Sequence, residues 1–410
     1  MQCDLLLRNV RLEGCPELVD VAIENQKIAR VGRLAKAGAK EMVDAEGALA
    51  SPPFIDAHTH LDKALFQPRP NQSGTLAEAI EIMSRASSRI LIDSIQERVD
   101  RVLNWAFKHG TLAVRTHVDI TGAHSALALE EILKVRERWS DYIDIQIVAF
   151  PQEGLFGSEP VWRYLKEALR NGADVVGGIP AIEETEKLSR RHIEKILELA
   201  AEFDVDVDMH VDESDDPNSV TLEALADMTI AAGWQGRVTA AHCCALAAYS
   251  PEYAREVMEK VKSAQINVVT NPTTNLVLQG RGDRGPKRRG LTLVKELLEL
   301  GVNVSLGQDN IRDVFNPFGK GDMLDIAFVT ALAAHMTGEQ EIKKVFDMPR
   351  HNAARILNIK DYGIREGGGA DMVLLKADSP ADAIATRPPR DWIVRRGKIF
   401  PAHSISQGVI

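Results

Sequence analysis

Between residues 54 and 362 the chain alternates short apolar runs with amphipathic segments, and this alternation restricts the fold more than any other property of the sequence. One run leads into His58; the others are 111–118, 144–150, 174–179, 205–210, 237–242, 266–270 and 302–306. Runs of this length with little internal polar alternation are expected for strands buried on both faces. The segments between them carry helical spacing, as in 192–203, where Ile193, Ile196, Leu197 and Ala200 fall at i, i+3, i+4 and i+7. Eight strands with intervening helices predict an α/β fold, a (β/α)8 barrel over 55–361, in preference to a doubly wound sheet. The two ends differ from the centre. Residues 5–10, 19–24 and 27–32 are short extended pieces, 370–375 follows the turn Glu366-Gly-Gly-Gly369, and 391–400 reads as a hairpin around Gly397. Segments 1–54 and 362–410 are therefore expected to pair into one small β-sandwich beside the barrel.

Every barrel strand that matters chemically ends in a polar residue. The strand ends carry His58 and His60, His117, Gln152, His210, His242 and Asp309. Ionisable groups at the rim of an apolar core are costly unless a ligand or metal uses them. Barrel enzymes build their sites at this rim. His58 and His60 stand two apart, so on an extended strand both imidazoles face one spot, the beginning of a metal site.

Composition narrows the partners. The 410 residues are 45% hydrophobic and 26% charged with a net charge of −10, which argues against nucleic acid or an anionic membrane and favours a small uncharged or cationic ligand. Cys3, Cys15, Cys243 and Cys244 show no CxxC pairing, as expected for reduced thiols in a cytoplasmic protein. No stretch approaches 18 apolar residues, and Asp4 and Arg8 come too early for a signal peptide.

Several segments carry a family resemblance: His58-Thr-His-Leu-Asp62, Asn71-Gln-Ser-Gly-Thr-Leu76, Val114-Arg-Thr-His-Val-Asp119, Gln146-Ile-Val-Ala-Phe-Pro-Gln-Glu-Gly154, His210-Val-Asp-Glu-Ser-Asp-Asp216, Leu278-Gln-Gly280, Pro286-Lys-Arg-Arg-Gly290 and Gln308-Asp-Asn310. Over nearly its whole length the sequence resembles the amidohydrolase superfamily, and within it the bacterial cytosine deaminases, with isopropylammelide aminohydrolases as close relatives. The resemblance implies His58, His60, His210 and Asp309 as ligands of one divalent ion, Zn(II) or Fe(II), with a position left for water. Relatives with two metals bridge them through a modified lysine on the fourth strand; Asp174-Val-Val-Gly-Gly-Ile-Pro180 has none, so one ion is expected.

Within that resemblance Glu213 is expected to shuttle protons and Asp309 to take a proton from the attacking water. His242 would hydrogen-bond the tetrahedral intermediate, while Gln152, Asn310, Leu76 and Phe315 would contact the substrate. The implied reaction is hydrolytic deamination of a cytosine-like cyclic amidine. Asn310, where cytosine deaminases usually carry an acid, leaves other rings open: 5-substituted cytosines, isoguanine, creatinine-like rings or aminotriazines, or cleavage of a cyclic amide or N-alkyl bond instead. A small heterocyclic substrate and a homo-oligomer are expected. Structural packing is the expectation for His117, solvent exposure for Lys63 and Lys287, and local ion pairs for the basic run beginning at Pro286.

Overall fold

The computed structural model describes residues 2–86, 88–121, 125–157, 160–285 and 287–402. Pro286 and the end of the second expected sandwich segment, 403–410, lie outside them. Eight parallel strands form the central sheet: β6 (Phe54–Thr59), β7 (Thr111–Asp119), β8 (Asp144–Phe150), β9 (Val175–Gly178), β10 (Asp206–Val211), β11 (Val238–His242), β12 (Asn267–Thr270) and β13 (Val304–Leu306). They lie side by side in chain order. Closure comes just past β13, where Asp309 bridges Thr59 and the Asp309 N–H donates to the His58 carbonyl at 2.8 Å. This is the expected (β/α)8 barrel.

Both faces of the sheet are covered, and all residues of β6, β9, β11 and β13 are buried. Outward side chains pack beneath helices such as Glu186–Phe203. Thr185 caps that helix by accepting from the Leu188 N–H, and it ends at Asp204 in the left-handed region, φ 53°. Its buried stripe includes Ile193, Ile196, Leu197 and Ala200, as the spacing predicts, each Ile or Leu contributing roughly 1.5–3 kcal/mol. The barrel floor is plugged by Ile55, Ala57, Ala113, Ala241 and Val269 against Ala353, Ile356 and Leu357.

The chain ends form two four-stranded sheets. One contains β1 (Gln2–Val10), β2 (Val19–Glu24), β3 (Lys27–Gly32) and β4 (Gly38–Asp44), in the order β3-β2-β1-β4. The other joins β5 (Leu49–Ser51) to β14 (Met372–Leu375), β15 (Arg390–Arg395) and β16 (Lys398–Pro401). Leu5, Leu7, Val21 and Ile23 of the first sheet share a core with Met372, Leu374 and Val394 of the second, so the ends do combine. β1 and β4 run parallel, an arrangement the sequence does not suggest. The buried Arg390–Asp322 pair fastens β15 to the barrel. Among the described residues no helix is long and apolar enough to cross a membrane.

Candidate metal centre and active site

Two departures from regular strand geometry aim the histidines into the barrel mouth. Ile55 and Ala57 point into the barrel floor, so plain alternation would continue through Thr59 and turn His58 and His60 away. Pairing with β7 slips by one residue between Asp56 and Thr59, a bulge that brings both imidazoles inward. Asp56 staples the bulge, accepting from the His58 N–H at 3.3 Å and the Gln308 N–H at 2.9 Å. At β11, His242 takes φ 69° and Cys243 φ 51°, and Asp309 after β13 has φ 64°. Left-handed backbone at non-glycine residues costs of order 1–3 kcal/mol and collects where a site is being shaped. Gly307 lets β12 and β6 close in: a Cβ there would lie 2.3 Å from Asn271 Oδ1 and 2.6 Å from His58 Cβ.

His58, His60, His210 and Asp309 meet at the barrel mouth. His60 Nε2 lies 3.1 Å from His210 Nε2, and Asp309 Oδ1 lies 3.4 Å from His60 Nε2 and 3.7 Å from His58 Nε2. A tetrahedral ion with bonds near 2.1 Å would hold its donors about 3.4 Å apart. Both ring nitrogens of His58, Nδ1 of His60 and His210, and Asp309 Oδ2 are buried without a hydrogen-bond partner among the described residues. Burial first, and neighbouring imidazoles second, push His58 and His210 far below the ordinary imidazole range; burial and then Lys63 do so for His60. All three are thus neutral at pH 7 with lone pairs available. Unpaired, convergent, neutral nitrogens beside a carboxylate fit a divalent cation and little else.

Glu213 and His242 flank the cluster. His242 Nδ1 lies 3.4 Å from Glu213 Oε1 and 3.0 Å from Asn275 Nδ2, and Asn271 Nδ2 lies 3.3 Å from the same ring. Asn275 also donates to Glu213 Oε1 at 3.4 Å. Burial holds His242 down to about 3 and raises the Glu213 carboxyl well above the ordinary carboxylate range; Asp309 is raised by burial and then by Glu213. Glu213 keeps 26% exposure and lines a cavity of about 770 Å³. His210, Gln152, Asp119, Lys63 and Phe315 line the same space.

Of the other expected contacts, Asn310 gives its amide to Asp313 Oδ2 at 2.7 Å and is buried. Leu76 opens the helix Leu76–Arg85, and its side chain lies outside the described ones. Lys63 corrects its expectation: it is 5% exposed, its ammonium 2.9 Å from Asp62 Oδ2. Burial works against its charge, but Asp62 and Asp119 outweigh it and raise the pKa. Lys287 is exposed as expected, and Arg288 pairs with Asp283 and Asp215. His117 is wholly buried, in keeping with the packing expected of it. Its ring lies 4.1 Å from that of His58, and its Nε2 is 3.3 Å from Asp208, which the fully buried Arg115 holds at 2.8 Å. Asn271 and Asn275 were not foreseen. They sit at the cap and in the first turn of helix Pro272–Leu278 as uncharged amides, and the only hint is the Asn-Pro start that follows β12.

Barrel, bulge and ligand cluster together define a metal-dependent hydrolase of the amidohydrolase type. The amidohydrolase family model matches residues 41–410; the chain belongs to that family and is a hydrolase acting on carbon–nitrogen bonds. It is similar to the N-isopropylammelide isopropyl amidohydrolase of Pseudomonas sp. (strain ADP), 31% identical with 97% of each chain covered. The pterin deaminase of Rhizobium rhizogenes (strain K84) is 31% identical, with 87% of this chain and 82% of that one covered. In three dimensions the chain resembles the 5-methylcytosine deaminase of Klebsiella pneumoniae solved with phosphonocytosine: TM-score 0.91, 36% identity, 96% of this chain and 97% of that chain covered.

Proposed function

We propose that this chain hydrolyses the exocyclic carbon–nitrogen bond of a cyclic amidine in a cytosine-like nitrogen heterocycle, releasing ammonia. One divalent ion, Zn(II) or Fe(II), would be held by His58, His60, His210 and Asp309. The observation that carries this reading is Glu213, a carboxyl whose pKa burial raises, set at the edge of the ligand cluster and open to the cavity. When bound, the cation supplies Lewis acidity and lowers the pKa of an attacking water.

The chain's own groups handle the protons. The protonated Glu213 gives its proton to a ring nitrogen, which makes the amidine carbon a better electrophile. As water adds, Asp309 takes one of its protons and hands it to Glu213, left ionised by the first transfer, which passes it to the exocyclic nitrogen; the carbon–nitrogen bond breaks, ammonia leaves, and the remaining hydroxyl proton returns to Glu213 as the ring carbonyl forms. With Asn275 donating to Nδ1, His242 carries its hydrogen on Nε2, where it can donate to the developing oxygen. Gln152 both donates and accepts, which matches the amide-like edge of a pyrimidinone. A second ion is disfavoured on two grounds. Arg115 already neutralises Asp208, and the fourth strand, Val175–Gly178, carries no lysine to bridge two ions.

The test is a screen of the metal-loaded protein against aminated pyrimidines, pteridines, purines and triazines for ammonia release. Stoichiometric ammonia and a ring carbonyl product from at least one ring are expected. If alkylamine or ring-opened acid is the product and no ring releases ammonia, deamination is refuted.

A further inference from the structure

The cavity beside Glu213 is much larger than the ring its polar wall would hold. A substituted six-membered ring displaces about five waters' worth of space at roughly 30 Å³ each, whereas the cavity measures about 770 Å³. We propose that the excess is an apolar subsite, walled by Ile80, Met83, Leu91, Ile182 and Phe315, which takes an alkyl, aryl or fused-ring extension of the heterocycle. This rests on the heterocycle reading above and deepens it.

The lining is mixed: Gln152, His210, Glu213, Asp119 and Lys63 present polar atoms, and Ile80, Met83, Leu91, Ile182 and Phe315 present apolar side chains to the same cavity. Ile80 and Ile182 are 55% and 50% exposed, large apolar side chains left facing a concavity. Such surface gains from being covered, and water in the cavity cannot supply that gain.

The apolar wall is also fixed in place. Ile182 ends the single turn Pro180–Ile182 after β9. The buried His192 holds that turn: its Nε2 accepts from the Ile179 N–H at 3.1 Å, and its Nδ1 lies 2.7 Å from Glu183 Oε1. Glu183 also accepts from the Leu155 N–H at 2.7 Å. Opposite in sequence, the helix Leu76–Arg85 is capped by Thr75 and buries Ala79 and Ile82 against Val314. A preformed apolar wall loses little freedom on binding.

Each methylene buried there is worth about fourfold in affinity. A butyl or phenyl extension on the ring edge away from the amino group should therefore improve binding by at least about 10-fold. The experiment compares an aminopyrimidine with its butyl and phenyl derivatives on the metal-loaded enzyme, by kcat/KM for ammonia release and by calorimetric Kd. The expected ratio favours the extended ring by 10-fold or more, falls toward one in Ile182→Asp and Ile80→Asp, and survives in Ile182→Leu. Ile80→Asp lies on an exposed helix face and keeps the test open should Ile182→Asp misfold. Absence of ammonia from every ring would refute deamination, while the calorimetric ratio still decides the subsite. Equal Kd for parent and extended rings, or a ratio unmoved by both aspartates, overturns the proposal.

Discussion

Glu213→Gln gives the sharpest test of how the protons move. Glutamine has the size of glutamate and keeps an oxygen for Asn275, 3.4 Å away, so the geometry around His242 should survive. What it loses is the exchangeable proton. General acid–base help of this kind contributes ~10²–10⁴ in rate, equal to about 3–5 kcal/mol of barrier. Stability should move the other way. Burial raises the Glu213 pKa, so the ionised carboxylate is unfavourable in the fold at pH 8, and a neutral amide removes that penalty. Steady-state ammonia release, bound-metal content and thermal melting, measured on one preparation, separate these effects. The expected pattern is kcat down by 10² or more, full metal content, and a melting temperature equal to or above that of the parent. A Glu213→Gln enzyme that retains its metal and turns over within 10-fold of the parent would show that another group carries the proton.

Stripping the cation with a chelator should lower the melting temperature, because an ion at 100 times its Kd stabilises the fold by ~2.7 kcal/mol; identical melting with and without Zn(II) or Fe(II) would remove the metal site. Gly307→Ala should disturb His58 and Asn271 together, since its Cβ has no room between them, with loss of bound metal as the readout. Arg390→Met breaks a pair whose partners are both almost wholly buried and should cost ~3–5 kcal/mol in denaturant melts. Asp322→Asn should show the matching pH dependence. Burial alone would raise the Asp322 pKa, but Arg390, His109 and Lys320 prevail and lower it, so its stabilisation is present above the unfolded value near ~3.9 and fades as pH falls through the folded one. The variant's deficit at pH 7 should close in acid; a deficit constant from pH 7 to 3 would contradict this.

The barrel is legible in the sequence because strands buried on both faces leave unbroken apolar runs; 144–150 coincides with β8, and the other strands differ only at their ends. The clustering of His58, His60, His210 and Asp309 is legible because charged or metal-seeking side chains at the ends of such runs have no cheaper explanation. What escapes is whatever depends on distant partners. β4 has exposed Lys40 and Glu41 and no alternation, and it exists through its pairing with β1. Lys63 reads as a solvent lysine until the distant Asp119 joins its sequence neighbour Asp62 in enclosing it. The bulge in β6 is equally hidden: simple alternation places His58 and His60 together for the right reason, period two, but on the wrong side of the strand. Asn271 and Asn275 carry no charge, and only the fold brings them to His242.

Asp309 closes the barrel with its backbone and faces the histidines with its carboxylate. Its carbonyl accepts from Thr59 Oγ1 at 2.9 Å across 250 residues of chain. Joining points so far apart in a bare chain would cost loop-closure entropy of order 5 kcal/mol, spent before this non-local contact can return it. The ligand set is therefore complete only when the last stave has met the first. A cation bound there clasps the most distant seam of the fold, so metal affinity is a gauge of barrel closure, and loosening the seam at β6 or β13 weakens the site without touching a ligand.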